Sequence, residues 1–279
     1  QDYVSPQAGL VLGYDHTNLA FSYARGVNYP SPVILQNSLG NKDLPGWLDT
    51  KEIKPEVVDH YEVSLTHEQP GLFNASATYF HDKGWDRFRA FMYGRLGAAN
   101  YTDFFTSSAS EYQIDGLELA GSVTPLDGLE IYGGATWLWA RAKGDDGKTQ
   151  LKMPYTPSFA FQGGFKYRFL RDFQFSGDYQ HLEGVYSGTS MRTASPAQPA
   201  STFSRLTDND RLNNIDVVNL RLDYFFSYDK LHLDEGRVFV GVDNLFDCKY
   251  GYTMEKQGSD HKLYYMPGTT FMAGFELKF

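Results

Sequence analysis

A single cysteine, Cys248, is the whole thiol content of the 279-residue chain. Without a second thiol there is no internal disulfide and no Cys-based metal site. Long apolar runs are missing as well: no window approaches the ~18 to 20 consecutive apolar residues of a membrane-spanning helix, which excludes helical spans. Positive charge is in deficit, with 25 Lys+Arg against 34 Asp+Glu, a net charge of −9 and a pI near 5.2. That balance leaves no footprint for nucleic-acid phosphates. The histidines, His16, His60, His67, His81, His181, His232 and His261, show no HxH or HExxH spacing, and no GxSxG, phosphate loop or CxxC occurs. The chain is therefore not expected to be an enzyme, nor to hold a metal or a cofactor. Residues 1–6 carry neither a basic nor an apolar signal region, so no secretory leader is expected within the chain.

Aromatic side chains are in excess: 21 Phe, 20 Tyr and 4 Trp in a chain whose mean hydropathy is −0.43. A soluble core of this size would draw more on Leu, Ile and Val. The spacing of the aromatics gives the reason. Phe271, Ala273, Phe275, Leu277 and Phe279 alternate with Met272, Gly274, Glu276 and Lys278, a period of two. The same period runs through Phe159, Phe161, Gly163, Phe165, Tyr167 and Phe169, and again through Val218, Leu220, Leu222, Tyr224 and Phe226. About eleven such segments of roughly 8 to 14 residues follow from the alternation and turn rules. They fall near 6–14, 18–25, 56–67, 72–82, 111–124, 129–142, 158–169, 172–183, 214–227, 236–246 and 269–279.

Connections between these segments alternate in length. Tight turns rich in Gly, Pro, Asp and Asn occur near 15–18, 69–71, 125–128 and 170–172, and between them lie the stretches 26–55, 83–110, 143–157, 184–213 and 247–268. Short turns at one end and long loops at the other are the pattern of a transmembrane β-barrel, with turns in the periplasm and loops outside. A soluble β-sandwich has no cause to sort its loops by length. One face of the segments is apolar and aromatic, with Trp137 and Trp139 near a strand end as an interfacial girdle. The other face carries Glu62, Glu118, Lys166, Arg168, Arg221, Asp223, Asp243 and Glu276, as expected of a wet lumen. The pairs Gly133-Gly134 and Gly163-Gly164 read as relief of crowding on the lumen side. An odd strand count places the two ends of the chain on opposite sides of the membrane, whereas single-chain bacterial barrels have even counts. The chain is expected to be part of a larger barrel.

Several motifs then resemble one family, the TonB-dependent outer-membrane receptors. Val242-Asp243-Asn244-Leu245-Phe246-Asp247 with Tyr250 is similar to the segment before that family's last loop. Ser5-Pro6-Gln7-Ala8-Gly9-Leu10 with Leu19-Ala20-Phe21-Ser22-Tyr23-Ala24-Arg25-Gly26 resembles a mid-barrel hairpin. Ile53-Lys54-Pro55-Glu56 with Tyr61-Glu62-Val63, and Ile114-Asp115-Gly116-Leu117-Glu118, resemble strand openings. Met266-Pro267-Gly268 through Phe279 resembles the closing strand, with Thr269 and Thr270 where an Arg often follows the Gly. The resemblance implies an all-β, antiparallel barrel of about 22 strands with a plug, of which residues 1–279 supply a partial barrel domain of about eleven strands. Plug, TonB box and first strands have no counterpart in the sequence, so TonB would be engaged through that amino-terminal region.

The resemblance implies a multi-pass outer-membrane transport receptor that takes up a scarce nutrient, with a ferric siderophore as the commonest cargo. A passive porin or an ungated structural barrel is the alternative. Between 84 and 105, arginines interleave with aromatics, a composition suited to an anionic, aromatic metal chelate through charge pairing and cation–π contact. Trp85, Arg87, Arg89, Tyr93, Arg95 and Tyr101 are the candidate ligand residues there, and Tyr264 is the candidate in the last loop. The competing reading makes Trp85 part of the upper girdle and sets the arginines against lipopolysaccharide phosphates, so membrane lipid and lipopolysaccharide are expected partners either way. Met254 and His261 are a soft-metal pair only at unrelated spacing.

Overall fold

The computed structural model describes residues 3–32, 54–94, 101–109, 111–143, 150–153, 155–186, 210–228, 233–257 and 260–278. One antiparallel sheet dominates. Its strands are β1 (Gln7–Tyr14), β2 (Thr17–Asn28), β3 (Glu56–Gln69), β4 (Phe73–Trp85), β7 (Tyr112–Leu126), β8 (Leu129–Lys143), β10 (Phe159–Phe169), β11 (Phe173–Glu183), β12 (Ile215–Tyr228), β13 (Leu233–Asp243) and β16 (Thr270–Lys278). They pair in chain order from β1 to β16. Eleven segments read from alternation thus become eleven neighbouring strands, with ends displaced by a few residues.

The long connections hold more structure than expected. The 83–110 stretch contains a hairpin of β5 (Arg87–Gly94) and β6 (Tyr101–Ala109), and the 247–268 stretch contains one of β14 (Thr253–Gln257) and β15 (Asp260–Tyr264). β9 (Gln150–Lys152) extends the ladder of β8. Arginine-rich and tyrosine-rich composition disguised these strands, because only one residue in two needs to suit any given face.

Register is continuous enough to assign a face to every residue paired in this sheet. Gly163 faces Gly133, Gly133 faces Gly121, and Gly121 faces Ala75, so four strands share one row. Following such rows, Leu10, Phe21, Val63, Ala77, Leu119, Ile131, Phe165, Phe175, Leu222, Val240 and Phe275 all stand on one side. Many of them are open to the surroundings, including Leu10 at 56%, Val240 at 53% and Phe275 at 74%. Among the described residues only Tyr112, Met153, Val185, Leu212, Ile215 and Val217 are buried apolar side chains. A sandwich would bury one face of each strand under a second sheet, and no such layer covers this one among the described residues. The apolar side is a wall built to meet lipid.

Polar groups of the opposite side satisfy one another. Asp223 is fully buried between two guanidinium groups: Arg221 Nε donates to it at 3.0 Å and Arg237 Nε at 2.7 Å. Arg221 also lies 3.8 Å over the Phe239 ring. Tyr132 crosses above Gly164 to donate to Asp178, and a Cβ on Gly164 would sit 2.7 Å from that phenol oxygen. Only Gly134 and Gly164 of the two glycine pairs are on this side, since consecutive strand residues alternate; Gly133 and Gly163 face outward, which corrects the reading of both pairs as lumen glycines.

Asn244 closes β13 and anchors the last connection. It adopts a left-handed φ of 51°, which Asn tolerates better than branched residues. Its side-chain Nδ2 donates to the carbonyls of Cys248 at 3.0 Å and Pro267 at 3.2 Å, while its Oδ1 accepts from Cys248 N at 2.8 Å. The Asn of the Asn244-Leu245-Phe246-Asp247 run therefore holds the two ends of the loop together.

A lipid-facing wall has an asymmetric response to charge. Phe165→Arg and Leu222→Arg are expected to cost about 2 to 4 kcal/mol near the midplane, and Gln162→Arg, on the exposed inner side, well under about 1 kcal/mol. Denaturant titration of the intact barrel refolded into phosphatidylcholine vesicles measures the difference, and equal costs on both faces would refute the assignment.

Candidate functional site

At the end of the sheet with the long connections, β4 passes into β5 through Asp86, whose φ of 58° turns the chain out of the sheet. The hairpin so formed pairs Arg89 with Thr106, Tyr93 with Thr102 and Gly94 with Tyr101, with a register shift between Arg87 and Phe88. It returns directly to Tyr112 at the start of β7.

Two residues flanking Asp86 diverge. Trp85 is the partner of Val57 and continues the apolar side, with Lys83 Nζ 5.3 Å from the ring centre. Arg87 instead reaches the polar side, where its guanidinium lies 5.6 Å from the Tyr112 ring centre. Tyr112 is 6% exposed, packs over Gly84 and donates to Glu56 Oε1 at 2.9 Å. Beside this group His60 Nδ1 is 2.6 Å from Asp82 Oδ1, and His60 Nε2 is 3.5 Å from Glu62 Oε2. Below the hairpin, the inner wall of β3 and β4 is thus acidic, and Arg87 is the cation at the hairpin's base.

Trp85 and Arg87 are therefore brought close in the chain but set on different faces. Arg89, Tyr93 and Tyr101 are placed on the hairpin strands as positions in its register. Arg95 lies outside the described residues. Tyr264 ends β15 opposite Thr253 and is 49% exposed, within the second hairpin at the same end of the sheet. Met254 faces Leu263 and His261 faces Lys256, so the two soft-metal candidates are not cross-strand partners. Sequence reasoning passed over Glu56, His60, Asp82 and Tyr112 as members of one group. Alternation puts His60 and Glu62 on one face, but no sequence signal sets Asp82 opposite His60 before the register is known.

These features form one end of a barrel wall, where the base of the hairpin at Arg87 meets a charged inner face, and no acid, base and nucleophile converge among the described groups. A family model described as TonB dependent receptor-like, beta-barrel, matches residues 1–245. The chain belongs to this family. Barrels of the family are outer-membrane proteins, with short turns in the periplasm and longer loops outside. No curated protein sequence matches the chain. Among solved structures it is similar to a copper transporter, OprC, with 18% identity, a TM-score of 0.73, and cover of 99% of this chain and 39% of that one. It is also similar to the ferric enterobactin receptor PfeA of Pseudomonas aeruginosa, at 17% identity and TM-score 0.67, covering 97% and 39%. The ferric-catecholate import receptor Fiu of E. coli K12 gives 16% identity, a TM-score of 0.65, and cover of 96% and 34%. These likenesses concern the fold, and the chain spans about two fifths of the length of the solved relatives.

The loop after β13 is pinned electrostatically at its root. Lys249 Nζ donates to Asp247 Oδ2 at 2.8 Å, and Thr269 N donates to Asp247 Oδ1 at 3.3 Å. Lys249 first, and the Thr269 amide second, hold the Asp247 carboxyl below the usual carboxylate range. A depressed folded-state pKa means that the tether is complete above the ordinary Asp pKa and is lost as pH falls through the lower folded value. Hydrogen exchange at the Thr269 amide should therefore be slow and level from about pH 8 to about pH 5 after correction for intrinsic rates, and should accelerate below about pH 4. Asp247→Ala should remove that acid-dependent step, and a step that survives in Asp247→Ala would locate the titrating group elsewhere.

Proposed function

We propose that the chain forms part of the barrel of a receptor that takes up a scarce nutrient through the outer membrane, driven by the TonB complex, with a ferric siderophore as cargo. Family membership supports the transport reading, and the β5–β6 hairpin supports an anionic cargo. Its strands carry Arg87 and Arg89 among aromatics in sequence, Arg87 lies against Tyr112 on the inner face, and Arg95 falls between the two strands. An arginine fork pairs with carboxylate or catecholate oxygens while its flat face stacks on an aromatic ring. Trp85, Tyr93, Tyr101 and Tyr264 are the proposed aromatic contacts. Solved relatives named as receptors for ferric enterobactin and ferric catecholate favour this cargo class. Copper, named for another relative, has less support because Met254 and His261 are not paired across their hairpin. Outer-leaflet lipid and lipopolysaccharide are the proposed surroundings of the outward face.

In the intact receptor, neutralising Arg87, Arg89 and Arg95 together should weaken binding of a ferric catecholate by on the order of 100-fold, since charge-assisted contacts in a partly desolvated mouth are strong. Surface plasmon resonance at two ionic strengths distinguishes the causes. Loss of direct contacts raises the off-rate at both, whereas loss of steering lowers the on-rate and fades with salt. Unchanged affinity with normal surface display would rule out the hairpin as the cargo site.

Orientation is tested separately in a Cys248→Ser background. Tyr29→Cys and Tyr265→Cys should react with an impermeant maleimide on whole cells, whereas Asp15→Cys and Asp127→Cys should react only after the outer membrane is opened. The reverse pattern would invert the barrel.

A further inference from the structure

Near the mouth, the outward face carries a graded series of register rows. Arg25, Asp59, Lys83, Gln113 and Arg141 are successive partners across β2, β3, β4, β7 and β8. One row nearer the membrane centre come Tyr23, Tyr61, His81, Asp115 and Trp139, and the next row is Phe21, Val63, Tyr79, Leu117 and Trp137. Charge gives way to amphipathic rings and then to apolar groups over two strand repeats. This is the order of headgroup, interface and acyl region in a lipid leaflet.

A local unit recurs along this belt. A Tyr and, two residues on, a basic side chain share an Asp of the next strand. Tyr23 and Arg25 both bond Asp59, at 3.0 and 2.6 Å. Tyr79 and His81 both bond Asp115, at 2.9 and 2.8 Å. Tyr179 and His181 both bond Asp216, at 2.7 and 2.8 Å. The first two units differ from the third in what they present. On β2 to β8 the carboxylates are tucked underneath, Asp59, Glu111 and Asp115 being 9%, 19% and 20% exposed. The cations above them, Arg25, Lys83, Arg141 and Lys143, are 39%, 38%, 55% and 46% exposed. Around β11 and β12 the order is inverted, with Asp216 at 54% and Glu183 at 40% standing outside a histidine at 18%. A cationic sector and an acidic one therefore occupy the same outward belt.

We propose that the outward face of β2, β3, β4, β7 and β8 is a binding site for the phosphorylated headgroup of an outer-leaflet glycolipid. Arg25, Lys83, Arg141 and Lys143 take the phosphates, Trp139 seats the lipid at the interface, and the acidic sector at β11–β12 does not bind it. The inference rests on the outward face meeting lipid and is independent of the cargo. Charge complementarity selects the occupant: four exposed cations, with their counter-carboxylates shielded, match a headgroup that carries two phosphates and not a zwitterionic one.

The test uses the intact receptor in detergent, with diphosphoryl lipid A, monophosphoryl lipid A and phosphatidylcholine as competing probes, read by native mass spectrometry. Wild type should retain diphosphoryl lipid A on the order of tenfold better than phosphatidylcholine, with the monophosphoryl form between them. The combined Arg25→Gln, Lys83→Gln, Arg141→Gln and Lys143→Gln variant should lose the preference, whereas His181→Gln should keep it. Arg141→Gln alone, whose one ion pair spans 3.6 Å at an exposed site, should keep its fold and lower the preference about threefold, and this variant decides if the combined one misfolds. No preference in wild type, or full preference in a folded combined variant or in Arg141→Gln, would overturn the proposal. Ferric catecholate binding, read in the same samples, reports on the transport reading alone. Its absence in wild type would sink that reading and leave the lipid result standing.

Discussion

In a wall that faces lipid, no backbone N–H or C=O can be left for water to satisfy, and each strand must therefore be paired along its whole length with its neighbours. Much else here follows from that requirement. Neighbouring strands pair over eight to thirteen positions, as Thr17 to Asn28 do with Glu56 to His67 over twelve. Long unbroken ladders impose strict alternation, and alternation permits a chain with few buried apolar side chains to be hydrophobic on one face and charged on the other. The two ends of the strand order, β1 and β16, are where the requirement is unmet among the described residues. Edge strands of this length call for further pairing, in keeping with a chain that spans about two fifths of the solved relatives.

Interior charges are held by a different constraint. A lumen wall is wet, yet Asp223 is removed from solvent by the two arginines that bind it, and removing the carboxylate would leave two guanidinium groups facing each other. Breaking such a pair costs more than never having built it. Asn244 follows the same logic in the backbone: a strand has to end, the carbonyls beyond it need donors, and one buried amide supplies both ends of the loop.

The sheet was legible in the sequence because its signal is periodic and redundant. Phe271 to Phe279, or Phe159 to Phe169, assign a face from any three alternate residues, and a turn such as Pro125-Leu126-Asp127-Gly128 fixes the end. What failed was of two kinds. The β5–β6 and β14–β15 hairpins are short and rich in arginine and tyrosine, a composition that suggested loops and hid two pairs of strands. Cross-strand relations failed for a different reason: Asp82 is 22 residues from His60 and Asp115 is 34 from His81, and only the register makes partners of them. A candidate site spread over several strands is therefore visible in sequence as composition and in structure as geometry.

Divergence at Asp86 joins these themes. Up to Trp85 the chain belongs to the lipid-facing wall, and Lys83 over its ring places a cation at the level of the headgroups. One residue of left-handed backbone later, Arg87 lies over Tyr112 on the lumen side, above an acidic patch of Glu56, Glu62 and Asp82. A tryptophan and an arginine two positions apart thus serve two different surroundings, and which one each serves is decided by strand parity and one turn. At the cargo site proposed above, a ligand would meet Arg87 and, on the wall beneath it, the carboxylates of Glu56, Glu62 and Asp82. Under that proposal an anionic chelate would be attracted by Arg87 and repelled by this sector of the wall beneath it, so strand parity and the turn at Asp86 together set the sign of the field along β3 and β4.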